Sequence, residues 1–358
     1  MLMKSGKESG VLELLEPADA SVTGPLQEHL LHSEEETEPV GAGAVERYAW
    51  DNLQMVSVDR SLPKPVRLAW SKIRRGLRSG VYRVTLSTSP GLDVDPIVVD
   101  DVSKTSADIW HLYLGRTYYW KVVAQIGGKD VAESPTWSFT TNSIPPRWIK
   151  IPGITNVRDI GGWPLRDGGR IRQGMVYRSS ELNGNLQITE RGKRILMDDL
   201  KIRTDLDLRG AFDTPGVALD PERVHWINAP ISPYDCITDA AFRDAYREIF
   251  EVFANADNYP VLFHCVGGAD RGGTVAFLLN GLLGKSREHL MRDFELTTLS
   301  VWGERSRNSE QFMAMMDVLR PFGNGEEDPT VEVENYARSI GVSDDAISRI
   351  RELLIEHE

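Results

Sequence analysis

The segment Pro260 to Leu283, PVLFHCVGGADRGGTVAFLLNGLL, limits the folds open to this chain more than any other stretch. PVLFH is too short for a helix and reads as a buried strand, whereas Thr274 to Leu283 is apolar enough for a buried helix. Between them lies CVGGADRGG. Strand, glycine-rich turn and helix N-terminus in that order form an anion cradle, because free backbone N–H groups and the helix dipole converge there.

The residues upstream alternate strand and helix signals in the same way. Met175 to Arg178 reads as a strand, Thr189 caps a helix, Ile202 to Leu208 alternates as a strand does, and Val224 to Asn228 is another strand. From Asp239 to Ala254 the apolar residues Phe242, Ala245, Ile249, Phe250 and Phe253 recur at helical spacing, which lays one face on a sheet. This half is α/β.

The half before Thr141 has no helical period of convincing length. It reads as short strands punctuated by Gly and Pro: Val66 to Ser71, Val81 to Ser87, Ile97 to Asp100, Ser106 to Trp110, Tyr118 to Ile126 and Thr136 to Thr141. Strands at that spacing imply an antiparallel sandwich. Between Pro25 and Gly43 the acidic run LHSEEETEPVGAG reads as a solvated loop between the first two strands. NSIPPRW, Asn142 to Trp148, breaks the pattern, since its two prolines favour an extended linker. The expected division is an all-β domain over 10–142, a linker over 143–150 and an α/β domain over 151–358.

A formal charge of −12 repels nucleic acid at long range, so any anion site has to be local. No apolar run approaches the length of a membrane span. The opening MLMKSGKESGVLELLEPADA has no signal-peptide core, so the sequence as it stands reads as cytoplasmic, or as secreted if a signal peptide has been removed. Cys236 and Cys265 are too few for a disulfide framework or a thiolate zinc cage. The histidines other than His264, at 29, 32, 111, 225, 289 and 357, lack paired ligand spacing, so no metal is expected. No Lys-Ser or Lys-Thr pair follows the glycines, which excludes a nucleotide-binding P-loop. No cofactor is expected.

Cys265 and Arg271 are separated by five residues, VGGAD. Backbone N–H groups and a helix N-terminus aimed at the cysteine stabilise a thiolate, which can attack phosphorus. Arg271 can hold two phosphate oxygens through its planar guanidinium. Val266, Gly267, Gly268, Ala269, Asp270 and Arg271 would then form the phosphate cradle.

HCVGGADRGG resembles the HCxxGKDRTG signature of the bacterial and fungal tyrosine phosphatase family with dual-specificity-like folds. NVRDIGG at Asn156 to Gly162 is similar to that family's NxRDLGG opening, IRQGMVYRSSEL to its GxxxRS strand, and LDLRG at Leu206 to Gly210 to its DLR strand. DFELTTLS and the terminal helix SDDAISRIRELL also fit, so the resemblance covers residues 148 to 358. In the other half, LGRTYYWKVVAQIGGKD and SPTWSFTT resemble the late strands of a fibronectin type III domain, with Tyr118 as corner tyrosine and Trp120 and Val122 facing the core. That module is expected to dock a protein partner.

The resemblance implies a phosphomonoesterase working through a phosphocysteine intermediate. Its substrate is a phosphorylated protein, phosphotyrosine first, or a phosphoinositide-like molecule. Two positions depart from the family: Ala269 replaces the usual lysine, and Gly272 replaces the hydroxyl residue that steadies the departing thiolate, which implies slow turnover. A phosphate-reading module without turnover is the competing reading. Arg158, Arg166, Arg170, Arg172 and Arg178 are further sources of charge for the pocket. A general acid is also required. Asp235, in NAPISPYDC, is the first candidate, with Asp207 and Asp270 as rivals. His264 is read as steadying the loop through hydrogen bonds, and Cys236 as incidental.

Overall fold

The computed structural model describes residues 12–29, 58–72, 80–325 and 328–357. The chain separates into two compact units, Met1–Leu26 with Lys64–Ile144, and Gln27–Pro63 with Pro145–Glu358.

The first unit is all-β. Its strands are β1 (Leu14–Glu16), β2 (Ser21–Val22), β3 (Val66–Trp70), β4 (Val81–Ser87), β5 (Ile97–Val102), β6 (Ser106–Ile109), β7 (Thr117–Ile126), β8 (Lys129–Glu133) and β9 (Trp137–Thr140). One sheet runs β1-β3-β6 and the other β2-β9-β7-β4-β5, with β8 also on β7. Leu68 and Trp70 from the first sheet share one core with Val84, Trp120, Val122 and Phe139 from the second, so the sheets face each other. The alternation in β7 is what the pleat requires: Tyr118, Trp120, Val122 and Ala124 are buried. The Tyr118 hydroxyl accepts a hydrogen bond from the Tyr113 N–H at 3.0 Å, which fixes the turn before β7.

Most of the acidic stretch read as a loop, residues 30–43, lies outside the described residues, as does His32. The described ends of the 27–63 segment bond within the second unit. Gln27 Nε2 donates to Pro146 O at 2.6 Å, Arg60 N to Leu299 O at 2.6 Å, and Asn156 N to Ser61 Oγ at 3.1 Å.

The second unit holds β10 (Arg147–Trp148), β11 (Arg158–Asp159), β12 (Arg170–Ile171), β13 (Val176–Ser179), β14 (Thr204–Asp207), β15 (His225–Asn228), β16 (Val261–His264) and β17 (Ile355–Glu356). Its helices are α1 (Glu190–Arg194), α2 (Arg243–Ala254), α3 (Arg271–Leu282), α4 (Arg287–Glu295), α5 (Glu310–Leu319), α6 (Pro329–Ser339) and α7 (Asp344–Leu354). The main sheet is ordered β10-β11-β13-β16-β14-β15. β13, β16, β14 and β15 are parallel, and β10 and β11 are antiparallel additions at one side.

The stretch expected as a linker therefore ends as an edge strand. Its prolines precede the paired residues Arg147 and Trp148, so the missing N–H groups interrupt no ladder bond. α2 starts at Arg243 and buries Tyr246, Ile249, Phe250, Val252 and Phe253. Each side chain of that size contributes about 1.5–3 kcal/mol on burial. α3 starts at Arg271, one turn earlier than the apolar run alone indicates, and nearly all of it is buried. A strand covered on both faces and a helix covered all round put Cys265, the residue after β16, at the carboxyl edge of the parallel strands, where open α/β sheets bind ligands.

The five arginines expected to enrich the pocket have other places. Arg166 pairs with Asp328 at 2.7 Å, Arg172 donates to Ile355 O at 3.2 Å, and Arg170 lies on β12, paired with β17. Arg158 and Arg178 are buried and share Asp293, at 3.1 and 3.2 Å. Burial lowers both guanidinium pKa values, that of Arg178 to about 9, and the neighbouring Lys285, Arg158 and Arg178 hold the Asp293 carboxyl well below its usual range although burial opposes them.

Lys285 belongs to the same cluster. Its ammonium lies 3.7 Å from the centroid of the Trp163 ring and has no hydrogen-bond partner among the described residues. Burial pushes it from 10.5 down to about 7. A base whose folded pKa is depressed is a cost in full below that folded value, and the cost fades as pH rises towards the unfolded value. Lys285→Met is therefore expected to raise the melting temperature more at pH 6 than at pH 9. Equal shifts at both pH values in thermal scans would show that the amine carries no such cost.

Candidate active site

The loop after β16 is shaped by what its carbonyls bond. Val266 O accepts from Glu181 N at 2.9 Å, Gly267 O from Asn156 Nδ2 at 3.0 Å, and Gly268 O from Arg178 Nη2 at 2.6 Å. Across a planar trans peptide the carbonyl and the following N–H point in opposite directions. Three carbonyls tied to the scaffold therefore turn the N–H groups of Gly267, Gly268 and Ala269 towards the concave side. Gly268 has φ +63°, and a Cβ there would stand 2.3 Å from Ser179 O, so only glycine fits.

These bonds explain NVRDIGG and VYRSS as supports of the loop. Asn156 reaches Gly267 O with Nδ2, and its Oδ1 accepts from Arg158 at 2.5 Å. Arg178 binds both Asp293 and Gly268 O. Asp159 takes Arg147 at 2.7 Å and the N–H groups of Gly161 and Gly174 at 2.8 and 2.7 Å. Asp293 in DFELTTLS, which carries the two arginines, is a supporting residue that sequence reasoning did not single out.

Cys265 is buried at the start of the loop, and Arg271 opens α3 with its side chain 11% exposed. Arg271 Nη1 lies 2.7 Å from Asp213 Oδ2. Burial would lower the Arg271 pKa, but Cys265 and Asp213 outweigh that and raise it. A Cβ on Gly272 would lie 3.8 Å from the Cys265 sulfur, so glycine here leaves open a position that a hydroxyl side chain would fill. Ala269 is fully buried.

The three aspartates named from sequence lie in different settings. Asp207 is buried at the end of β14, and Arg209 grips both of its carboxylate oxygens at 2.9 Å while the Thr214 hydroxyl donates at 2.6 Å. Burial alone would raise the Asp207 pKa; the Arg209 and Thr214 hydrogen bonds and the charge of His264 lower it, so the group stays ionised. Asp207 thus orients Arg209. Asp270 accepts from the Tyr234 hydroxyl at 2.5 Å and pairs with Arg305 at 3.1 Å. Asp235 is exposed on the 3-10 turn Tyr234–Thr238. From that turn it is Tyr234, φ +62°, that enters the site, with its N–H on Thr274 Oγ1 at 3.0 Å.

His264 Nε2 lies 2.9 Å from Asp205 Oδ1, an ion pair when the imidazole is protonated. Burial would lower the His264 pKa, but Asp205 and Asp207 raise it. His264 thus faces the carboxylates of β14, whereas the loop itself is held by Asn156, Arg178 and Glu181. Burial and the neighbouring Asp235 raise the Cys236 thiol pKa, as suits an unreactive residue.

Asp213, Arg305 and Tyr234 were not anticipated. Asp213 sits in GAFDTPG, where flanking glycines and a proline signal a turn, but its partner is 58 residues away. Next to it Phe212 is fully exposed. Among the described residues no group of His, Cys, Asp and Glu is arranged to hold a metal ion, and no helix is long and apolar enough to cross a membrane.

A protein of Cupriavidus necator that carries a tyrosine-protein phosphatase name is 29% identical over 166 residues, covering 39% of this chain and 59% of that protein's length. Among solved structures, the catalytic core of the PP-IP phosphatase Siw14 from S. cerevisiae is 16% identical, covers 53% of this chain and 93% of that one, and has a TM-score of 0.28. TpbA of P. aeruginosa, in complex with pTyr, is 14% identical, covers 40% of this chain and 86% of that one, and has a TM-score of 0.26. Residues 149–356, more than half of the sequence and all of the elements around Cys265, match the tyrosine phosphatase family, and the chain belongs to it.

Proposed function

We propose that this protein hydrolyses phosphomonoesters through a phosphocysteine intermediate. The observation that carries the reading is the loop between Cys265 and Arg271, whose carbonyls are bonded away from the centre by Glu181, Asn156 and Arg178. The Cys265 thiolate attacks phosphorus and the ester P–O bond breaks. The phosphoryl oxygens rest on the loop N–H groups and the Arg271 guanidinium. Water then attacks the phosphocysteine, the S–P bond breaks, and thiolate and inorganic phosphate are regenerated.

The leaving oxygen needs a proton. Both Asp213 and Asp235 are exposed, and Asp213 is favoured because its carboxylate lies 2.7 Å from Arg271. Once the phosphoryl group displaces its carboxylate from Arg271, Asp213 would take up a proton from solvent, give it to the leaving oxygen in the first step and take one from water in the second. A phosphotyrosine-type ester is favoured over an inositol phosphate. Phe212, fully exposed beside Asp213, offers a face for an aromatic leaving group, and Arg158 and Arg178 are committed to Asp293. We infer in addition that the first unit is a fibronectin type III-like module that docks a protein partner. Its corner tyrosine and the exposed Ile97 and Val98 on β5, the last strand in its sheet, support this. The two unpaired cysteines suit a reducing compartment.

Phosphate release from aryl phosphates of graded leaving-group basicity tests the reading. The wild type should turn over and Cys265→Ser should not; if neither does while both bind phosphate analogues, the domain only reads phosphate. Asp213→Asn should slow poor leaving groups by about 10²-fold or more and good ones far less. If Asp235→Asn shows that pattern instead, Asp235 is the donor.

Gly272→Ser places a hydroxyl beside the sulfur. If breakdown of phosphocysteine limits the rate, this variant should raise kcat and shrink the pre-steady-state burst. An unchanged burst in rapid-mixing experiments would show that the glycine is not what limits turnover.

A further inference from the structure

We propose that Asp213 is a built-in anion occupying the phosphate clamp at rest, so that a ligand binds by exchange at Arg271 and Asp213 sets which anions succeed. The inference rests on the reading of the loop as a phosphoryl site. It goes beyond that reading by assigning Asp213 a specificity role before any chemistry.

Asp213 does not reach Arg271 as a wandering surface group. The N–H groups of Asp213 and Thr214 both bond to Gly210 O, at 2.9 and 3.1 Å. The Thr214 hydroxyl donates to Asp207 at 2.6 Å and accepts from Arg209 at 3.2 Å, and both of those residues are wholly buried. The turn is thus bolted to the end of β14, and its carboxylate meets a guanidinium that has little other exposure, 11%. The loop's own carboxylate, Asp270, is engaged by Tyr234 and Arg305, which leaves Asp213 as the carboxylate on the clamp.

Exchange discriminates by what a ligand adds. A singly charged anion offers Arg271 no more than Asp213 does, so it gains little by replacing it. A doubly charged phosphoryl group carries more charge and further lone pairs for the N–H groups of Gly267, Gly268 and Ala269.

Calorimetry on the full chain in a Cys265→Ser background tests this without turnover, with phenylphosphonate and benzenesulfonate as probes of like shape and different charge. Adding Asp213→Asn should tighten phenylphosphonate about fivefold, the order expected for one half-exposed ion pair, and bring benzenesulfonate into the measurable range. Asp213→Glu, which keeps the charge, should gain nothing. Unchanged or weaker binding in Asp213→Asn overturns the inference, as does equal tightening in Asp213→Glu, which would point to a loosened turn. If phenylphosphonate binds none of the variants, the phosphoryl-site reading itself fails.

Discussion

The pairing of Arg158 and Arg178 with Asp293 is the interaction on which the loop depends. A glycine-rich turn has many accessible conformations, and its backbone groups serve water as readily as a ligand unless something orders them. Here the order comes from donors fixed in the core. Arg178 pulls Gly268 O, and Arg158 positions Asn156, which pulls Gly267 O. Two buried guanidinium groups against one carboxylate are costly without further partners, and the loop carbonyls provide part of what is missing.

This places positive charge behind the loop without exposing it. Arg178 and Arg271 both interact electrostatically with Cys265, one from within the core and one from the helix start. A thiolate and a phosphoryl group would therefore find a positive field in a chain of net charge −12. Acidic residues at the surface and a cationic core under one loop are compatible because burial limits screening by water and salt.

The short motifs of this region lie together around the loop. NVRDIGG, VYRSS and the glycine-rich loop are short and recognisable by residue type and spacing, although Asn156 and Arg178 reach the loop from about a hundred residues away. The acid is a different matter. Asp235 is read as an acid from the place of its loop after the Val224 to Asn228 strand, and in the structure the turn that carries it also turns Tyr234 inward. Nothing near Asp213 in sequence reveals that β14 ends where its turn can meet Arg271 at the start of α3.

The sequence by itself determined the two kinds of architecture, the strand, turn and helix around Cys265, and the five-residue spacing of Cys265 and Arg271. Those follow from periodicity and from local backbone chemistry, which act over a few residues. Only the tertiary structure decided which carboxylate meets Arg271, that Arg158 and Arg178 are buried on Asp293, and that Arg147 and Trp148 complete a sheet. Each of these joins groups held by separate elements. Side-chain position there depends on packing and on the cost of leaving a buried charge or N–H unpaired, and neither is written in local sequence.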